Sequence, residues 1–186
     1  MYKTILYSLL FLATFGCTDS QTELPKKYYD LQGFIDRQIV LLNKSKPKVE
    51  KLMRVGTAPE KVTTANIDWA EELELFKQAD LNKAALQLSY DVARPDSLTY
   101  QYKLKTSENL TVKSLSVFLD SASRQPARVE AMMEVENKLY KSEKKIAMIC
   151  GQSGGQWMLQ KYQIVGYQKL LLGGQKKFEI TGLVKH

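Results

Sequence analysis

The spacing of apolar residues changes along the chain, from helical steps in its first half to strict alternation after residue 86. One apolar set recurs every three or four residues: Leu31, Phe34, Ile35, Ile39 and Leu42. This spacing predicts an amphipathic helix capped by Asp30, which ends before Pro47 because the residue before a proline disfavours helical backbone. A second helix is predicted from Asp68, which forms a capping-box pair with Glu71 ahead of an apolar face.

The remaining pattern is that of strands. Alternation over residues 48–55 indicates a strand that turns at residues 56–59 into a short return strand. Later strands are predicted at residues 86–92, 98–104, 111–119, 127–136, 144–150, 157–165, 167–172 and 176–184. The last two are joined by Gly173 and Gly174, a two-residue hairpin loop. We therefore predict an α+β fold, a predominantly antiparallel β-sheet of about eight strands with two N-terminal helices packed on it.

The first twenty residues have the pattern of an export signal. Lys3 precedes an apolar stretch from Ile5 to Phe15, which as a helix would be about 16 Å long, roughly half of a bilayer's hydrocarbon core. The stretch is too short to span a membrane, but it has the length of a signal-peptide hydrophobic region. It closes on Gly16 and Cys17, which are followed by polar residues.

A small residue before a cysteine, at the end of such a stretch, resembles the lipobox of bacterial lipoproteins. The resemblance implies that Cys17 becomes the mature N-terminus and carries acyl chains that tether the protein to a membrane. An ordinary secretory signal followed by a chance cysteine is the alternative. The lipoprotein interpretation divides the chain into a signal peptide at residues 1–16, a lipidated tether at 17–27 and one α+β domain at 28–186.

Charge and cysteine content narrow the possible partners. The chain has 27 basic and 20 acidic residues, a formal charge of +7, and loss of Lys3 with the signal lowers it by one. Such a charge can attract anionic lipid headgroups or polyanionic glycans, or it can simply be solvated. Nucleic acid is not expected, because an exported, tethered protein does not normally meet it.

Once Cys17 is acylated only Cys150 remains, so no intramolecular disulfide can form, and the apolar run before Cys150 predicts a buried thiol.

Residues for catalysis are scarce. The only histidine is His186, so Ser-His-Asp and Cys-His catalysis and histidine metal sites lack their groups. Residues 151–155 superficially resemble a phosphate loop, but no Gly-Lys-Ser/Thr follows, and a hairpin loop is predicted there. Glu130, Glu134 and Glu136 could supply a glycosidase acid and base, or they could be the solvated face of a half-exposed strand. We assign no catalytic, cofactor-binding or metal-binding residue.

Aromatic residues on the predicted strands form a possible ligand or partner face: Tyr100, Tyr102, Trp157 and Tyr162. They could line a concave sheet face that stacks a sugar ring or receives an acyl chain or peptide. The alternative is that they fill the core beneath the helices, with Trp69 and Phe76 as lids. A carrier of apolar ligands would have a cavity lined by residues such as Leu98, Tyr100, Leu115 and Val117.

A resemblance to a known family rests on several short segments, spread over most of the mature chain: residues 28–31, Trp69, Glu72, Leu73, Phe76, residues 139–142 and Tyr162-x-Ile164-x-Gly166-x-Gln168-Lys169. In these segments the chain resembles small lipoproteins of unknown function from Bacteroidota. The resemblance implies an envelope with two membranes, in which lipoproteins commonly reach the outer membrane and face the periplasm. We expect a non-enzymatic binding or scaffold subunit that has an envelope protein as its partner. A periplasmic carrier of a lipid or other apolar ligand is the alternative, and a glycan hydrolase is the third.

Overall fold

The computed structural model describes residues 26–56 and 58–186, and most of them belong to one open sheet of nine antiparallel strands. The strands are β1 Lys48–Val55, β2 Ala58–Thr64, β3 Tyr90–Ala93, β4 Thr99–Leu104, β5 Val112–Leu119, β6 Pro126–Glu136, β7 Tyr140–Ser153, β8 Gln156–Leu170 and β9 Gln175–Lys185. Their order across the sheet is β2-β1-β9-β8-β7-β6-β5-β4-β3. Each strand from β3 to β8 therefore pairs with the next one in the chain, while β1 of the β1–β2 hairpin pairs with β9. The predicted predominance of antiparallel sheet is confirmed, with nine strands instead of eight.

The first predicted helix is present as α1, Leu31–Ser45. Asp30 caps it, since one carboxylate oxygen accepts the Gly33 N–H at 3.0 Å. The buried Asp80 carboxylate binds the same end, because it accepts the backbone N–H groups of Leu31 and Gln32 at 3.1 and 3.2 Å. The start of α1 is thereby joined to a loop about fifty residues later in the chain. None of the helices in the described residues is both long and apolar enough to cross a membrane.

The second predicted helix is not one helix. It is divided into α2, Trp69–Glu72, and α3, Glu74–Gln78, and a 3₁₀ turn at Ala84–Leu86 follows. Asp68 caps α2 as predicted. The break is at Leu73, where the backbone leaves the helical region with φ −99° and ψ 4°. Leu73 and Phe76 are both completely buried, so the apolar face predicted for this segment packs against the core.

Several strand boundaries also differ from the prediction, and β7 extends beyond the predicted residues 144–150 at both ends. Residues 86–89 do not join β3. The Tyr28 hydroxyl donates to the Gln87 carbonyl at 2.7 Å, so this carbonyl is not available to accept a hydrogen bond from a neighbouring strand. The two strands predicted around Gly166 are the single strand β8, and the Phe178 ring lies where a Cβ of Gly166 would be. The β8–β9 loop has four residues instead of two, so Gly173 and Gly174 form only its second half.

The predicted hairpin loop after β7 is confirmed. Gly154 and Gly155 alone connect β7 to β8, with φ values of 54° and 79°. Such positive values at both central residues are those of a tight hairpin turn, and glycine adopts them without steric cost.

The two faces of the sheet have different surroundings. The face that the helices cover, here called the covered face, holds the core together with α1–α3. Its completely buried side chains include Val49, Leu115, Val117, Met148 and Tyr162 from the sheet and Leu31, Ile35, Leu42, Leu73 and Phe76 from the helices. The opposite face, here called the open face, is not covered by any part of the chain that the structure describes. In β6, for example, Val129 and Ala131 are buried, whereas Glu130 and Met132 between them remain partly exposed.

Gln38 joins α1 to the sheet through two hydrogen bonds. Pairing between β8 and β9 ends at Lys161, so the earlier part of β8 has no strand on that side. The Gln38 amide takes the place of a strand there, because its Nε2 donates to the Trp157 carbonyl at 2.9 Å and its Oε1 accepts the Leu159 N–H at 2.8 Å. Next to it, the His186 ring lies 2.7 Å from the Leu159 carbonyl.

Candidate functional site

The predicted lipidation site, Cys17, and the predicted signal peptide lie outside the described residues. The other cysteine, Cys150, is buried on the covered face, as predicted. Burial raises the pKa of its thiol to about 12, so the nucleophilic thiolate is scarce at neutral pH. Cys150 is therefore a packing residue and not a nucleophile.

The four residues of the predicted aromatic face all belong to the covered face: Tyr100, Tyr102, Trp157 and Tyr162. Tyr102 and Tyr162 are buried, and Tyr100 and Trp157 are half-buried against the core. The Tyr102 hydroxyl accepts the Tyr29 N–H at 2.9 Å, and the Trp157 indole donates to the Pro126 carbonyl at 2.8 Å. Their contacts correspond to the core interpretation, in which the rings fill space beneath the helices.

Tyr100 and Tyr102 belong to a larger tyrosine cluster at the start of α1. Tyr28 packs edge to face on Tyr102, with 5.3 Å between ring centroids, and Tyr29 packs on Tyr100 at 5.5 Å. The Arg94 guanidinium lies 3.8 Å from the centre of the Tyr100 ring and covers its outer side. Burial raises the pKa of Tyr29 to about 12, so this phenol stays protonated at neutral pH. The cluster packs against the start of α1, and Tyr29 and Tyr100 remain partly exposed.

The cavity expected of a carrier is not found at the residues predicted to line it. Leu115 and Val117 have no accessible surface at all, so no water-sized space touches either side chain. Tyr100 lies between Tyr29 and Arg94. The core beneath the helices is solid at these positions.

The carboxylates considered for glycoside hydrolysis are paired with cations. Glu130 is bonded to Arg128, and Lys141 lies 3.1 Å from Glu134 and 2.8 Å from Glu136. Lys141 lowers the pKa of Glu136, which is opposite to the raised pKa that a glycosidase acid needs. Within residues 26–56 and 58–186, no group of His, Cys, Asp and Glu is arranged to hold a metal ion.

A groove that was not predicted from the sequence runs across the open face. It consists of two adjoining hollows of about 480 and 510 Å³, which share Ser114, Ser116 and Met132. The hollows extend from β8 to β3, so they cross six strands, or about 24 Å at the usual strand spacing. We call this feature the open-face groove.

Strand register arranges the floor of the open-face groove in two rows. One row is Gln101, Ser116, Glu130, Ala147 and Gln163. The other row is Lys103, Ser114, Met132, Lys145 and Val165. Small side chains at three of these positions keep the floor low, while longer side chains on neighbouring strands rise beside them. The floor offers hydroxyl and amide groups together with charges of both signs.

A second pocket, of about 490 Å³, lies where α2 crosses β1. Lys51 and Glu72 form an ion pair of 2.8 Å in its wall, and both side chains are mostly covered. Beneath them the Tyr162 hydroxyl is buried and makes no hydrogen bond within the described part of the chain. Burial and then the nearby Glu72 carboxylate raise the pKa of Tyr162, so the phenol stays protonated. Lys51 and Glu72 neutralise each other, and two further carboxylates line the pocket, that of Asp68, which caps α2, and that of Glu71.

Alternation in the sequence contained a signal for the open-face groove. Ser114 and Ser116 stand opposite Leu115 and Val117 in β5, so one face of that strand is small and polar while the other is apolar. The aromatic residues predicted a ligand face on the opposite side of the sheet, which is the side that the helices cover.

The chain matches no protein-family model, no curated protein and no solved structure.

Proposed function

We propose that the protein is a lipid-anchored, non-enzymatic component of the cell envelope that binds a protein partner through the open-face groove. The observation that carries this proposal is the groove itself, which crosses six strands on a sheet face that no described residue covers. The lipid anchor is supported by the sequence around Cys17, and the outer membrane facing the periplasm is the location that the same resemblance favours.

The chemistry of the groove suits a protein more than a small apolar ligand. Pockets for small ligands are concave and mainly apolar, and they enclose most of the ligand. The open-face groove is open along its length, and its floor carries Gln101, Glu130, Lys145 and Gln163 between small residues. Mixed polar and apolar surface of this kind is typical of non-obligate protein interfaces. A length of about 24 Å accommodates roughly seven residues of extended chain.

Bulky substitution in the floor of the groove tests the proposal. Ala147→Trp places a large side chain in the first row of the floor without touching the core, because Ala147 belongs to the open face. Thr63→Trp is the matched control, since Thr63 lies on the same face in the edge strand β2, outside the groove. Both variants and the wild type are extracted gently from their own membranes and compared by native mass spectrometry.

We expect the wild type and Thr63→Trp to retain the same protein partner and Ala147→Trp to lose it, with equal melting temperatures for all three. A partner that remains on Ala147→Trp would show that the groove is not the binding surface. A wild type that carries no partner at all would contradict the binding function itself. A small molecule of defined mass, retained instead of a protein, would favour the carrier alternative.

A further inference from the structure

Two neighbouring loops place four leucines at one end of the sheet. Leu139 lies in the β6–β7 loop, and Leu170, Leu171 and Leu172 lie at the end of β8 and in the β8–β9 loop. The side chains of Leu139 and Leu171 are each 71% exposed and that of Leu172 is 99% exposed. A contiguous group of exposed apolar side chains on a folded domain marks an interaction site. We call this group the leucine tip.

Hydrogen bonds hold the two loops in place. The Leu171 N–H donates to the Leu139 carbonyl at 2.9 Å, which joins one loop to the other. The Asn137 side chain accepts the backbone N–H groups of Leu139 and Tyr140 at 2.8 and 3.0 Å and so fixes the β6–β7 loop. The leucines are therefore displayed by defined turns.

The charge around the leucine tip is mostly positive. Residues 136–141 and 169–177 contain five lysines and one acidic residue. Lys141 is neutralised by Glu134 and Glu136. The other four lysines are exposed and form no ion pair with the residues that the structure describes: Lys138, Lys169, Lys176 and Lys177. Each of them lies in one of the two loops or within three residue pairs of it.

We infer that the leucine tip inserts into the interface of an anionic lipid bilayer and orients the domain on the membrane. Exposed leucines surrounded by unpaired lysines match both layers of such a surface, because apolar side chains enter the boundary of the acyl chains while cations meet the phosphate headgroups. A protein interface is depleted in lysine, so the ring of four lysines favours the bilayer over a second protein.

The position of the tip is compatible with a tether to the same membrane. Tyr29, just before α1, marks where the tether meets the domain, and its backbone N–H donates to the Tyr102 hydroxyl. Strand pairing places Tyr102 level with Ala131 across the sheet, so the distance from the tether to the tip can be counted along β6. From Ala131 to Leu139 is eight residues, or about 26 Å along a strand. The eleven residues from Cys17 to Tyr28 have a covalent reach of at most about 37 Å. Insertion of the tip would leave the open-face groove, which crosses the middle of the strands, outside the bilayer.

An environment-sensitive fluorophore on Leu172→Cys in the full chain tests the inference. Cys17→Ser is included in every protein, and the buried Cys150 is not accessible to the label. The control is the same label on Ala122→Cys, which is exposed in the β5–β6 loop at the opposite end of the strands. Each protein is mixed with vesicles of phosphatidylcholine alone or of phosphatidylcholine with phosphatidylglycerol.

We expect the emission from position 172 to shift to the blue with the anionic vesicles and that from position 122 to stay water-like. Emission from position 172 that stays water-like with both vesicles overturns the inference. A shift already present without vesicles also overturns it, because the tip would then be covered by protein. A shift of equal size on neutral vesicles would refute the role of the lysines. Since the probe reports the surroundings of position 172 without acylation of Cys17, failure here is distinguishable from failure of the proposed anchor.

Charge removal tests the lysines separately. Lys176→Gln with Lys177→Gln is expected to lower the ratio of inserted to free tips about fivefold for each lysine replaced. Lys44→Gln with Lys48→Gln removes the same charge at the other end of the molecule and is expected to leave that ratio unchanged. Equal effects of the two double variants would overturn the role of the lysines at the tip, because insertion would then depend only on the net charge of the protein.

Discussion

Gln38 tests how firmly the helices are joined to the sheet. Gln38→Met keeps the length of the side chain and removes both polar atoms, so the Leu159 N–H and the Trp157 carbonyl lose their partners. An unsatisfied buried polar group costs about 1–3 kcal/mol. Leu159 is completely buried, whereas Trp157 is half-buried and its carbonyl is more easily reached by water. We therefore expect the free energy of unfolding to fall by about 2–4 kcal/mol.

Urea unfolding measures this loss. With a dependence on urea of about 2 kcal/mol per molar, the midpoint is expected to fall by about 1–2 M. Gln32→Met is the matched control, because Gln32 is exposed on the same helix and its replacement should change stability by less than about 0.5 kcal/mol. A Gln38→Met midpoint equal to that of Gln32→Met would refute the reasoning, since the two hydrogen bonds would then contribute nothing to stability.

Four further outcomes follow from single residues. Gly182→Ala should lose about 1–3 kcal/mol in thermal unfolding, because its Cβ would come closer than 3.0 Å to the buried Tyr162 ring, and an unchanged melting temperature would contradict this packing. Tyr162→Phe should leave stability equal or higher in the same assay, since the hydroxyl it removes has no partner among the described residues. Cys150 in the Cys17→Ser chain should react with a maleimide only as fast as the protein unfolds, and rapid labelling of the native protein would refute its burial. Burial acts to raise the pKa of Asp30, but hydrogen bonds from Lys26 and the helix backbone outweigh it and lower the pKa. The stability that this carboxylate contributes is therefore present above about pH 4 and is lost as the pH falls further. Urea titrations at several pH values should find this pH dependence reduced in Asp30→Asn.

Local patterns predicted the parts of the fold that local interactions determine. The apolar spacing of α1 and the alternation in β4, β5 and β6 correspond to elements that the structure contains. Only residues 90–92 of the strand predicted at 86–92 belong to β3, because Tyr28, about sixty residues earlier, takes up the Gln87 carbonyl. Gly166 indicated a break, but it accommodates the Phe178 ring of the neighbouring strand. Both errors come from contacts that are distant in sequence.

The candidate site was harder to predict for a related reason. Alternation divides the residues of a strand between two faces, but it does not say which face the helices cover. Tyr100 and Tyr102 alternate with Gln101 and Lys103, and the helices cover the tyrosines. The open-face groove is therefore lined by the polar residues that alternate with the tyrosines, such as Gln101 and Lys103. The leucine tip could not be predicted from the sequence, because Leu139 and Leu171 are far apart in the chain and meet only through the pairing of β7 with β8.

The pairing of β1 with β9 determines the order in which the protein can be completed as it is made. Strands β3 to β9 can assemble one after another as they emerge, because each pairs with its predecessor. The β1–β2 hairpin emerges before all of them, yet β1 has no partner outside its own hairpin until β9 has been synthesised, about 120 residues later. During that interval the hairpin and the apolar side of α1 are exposed to misassembly, the hazard of structures built from distant contacts. The earliest part of the domain is thus the last to be secured, and a chain interrupted before β9 would leave β8 as an unpaired edge and the β1–β2 hairpin separate from the sheet.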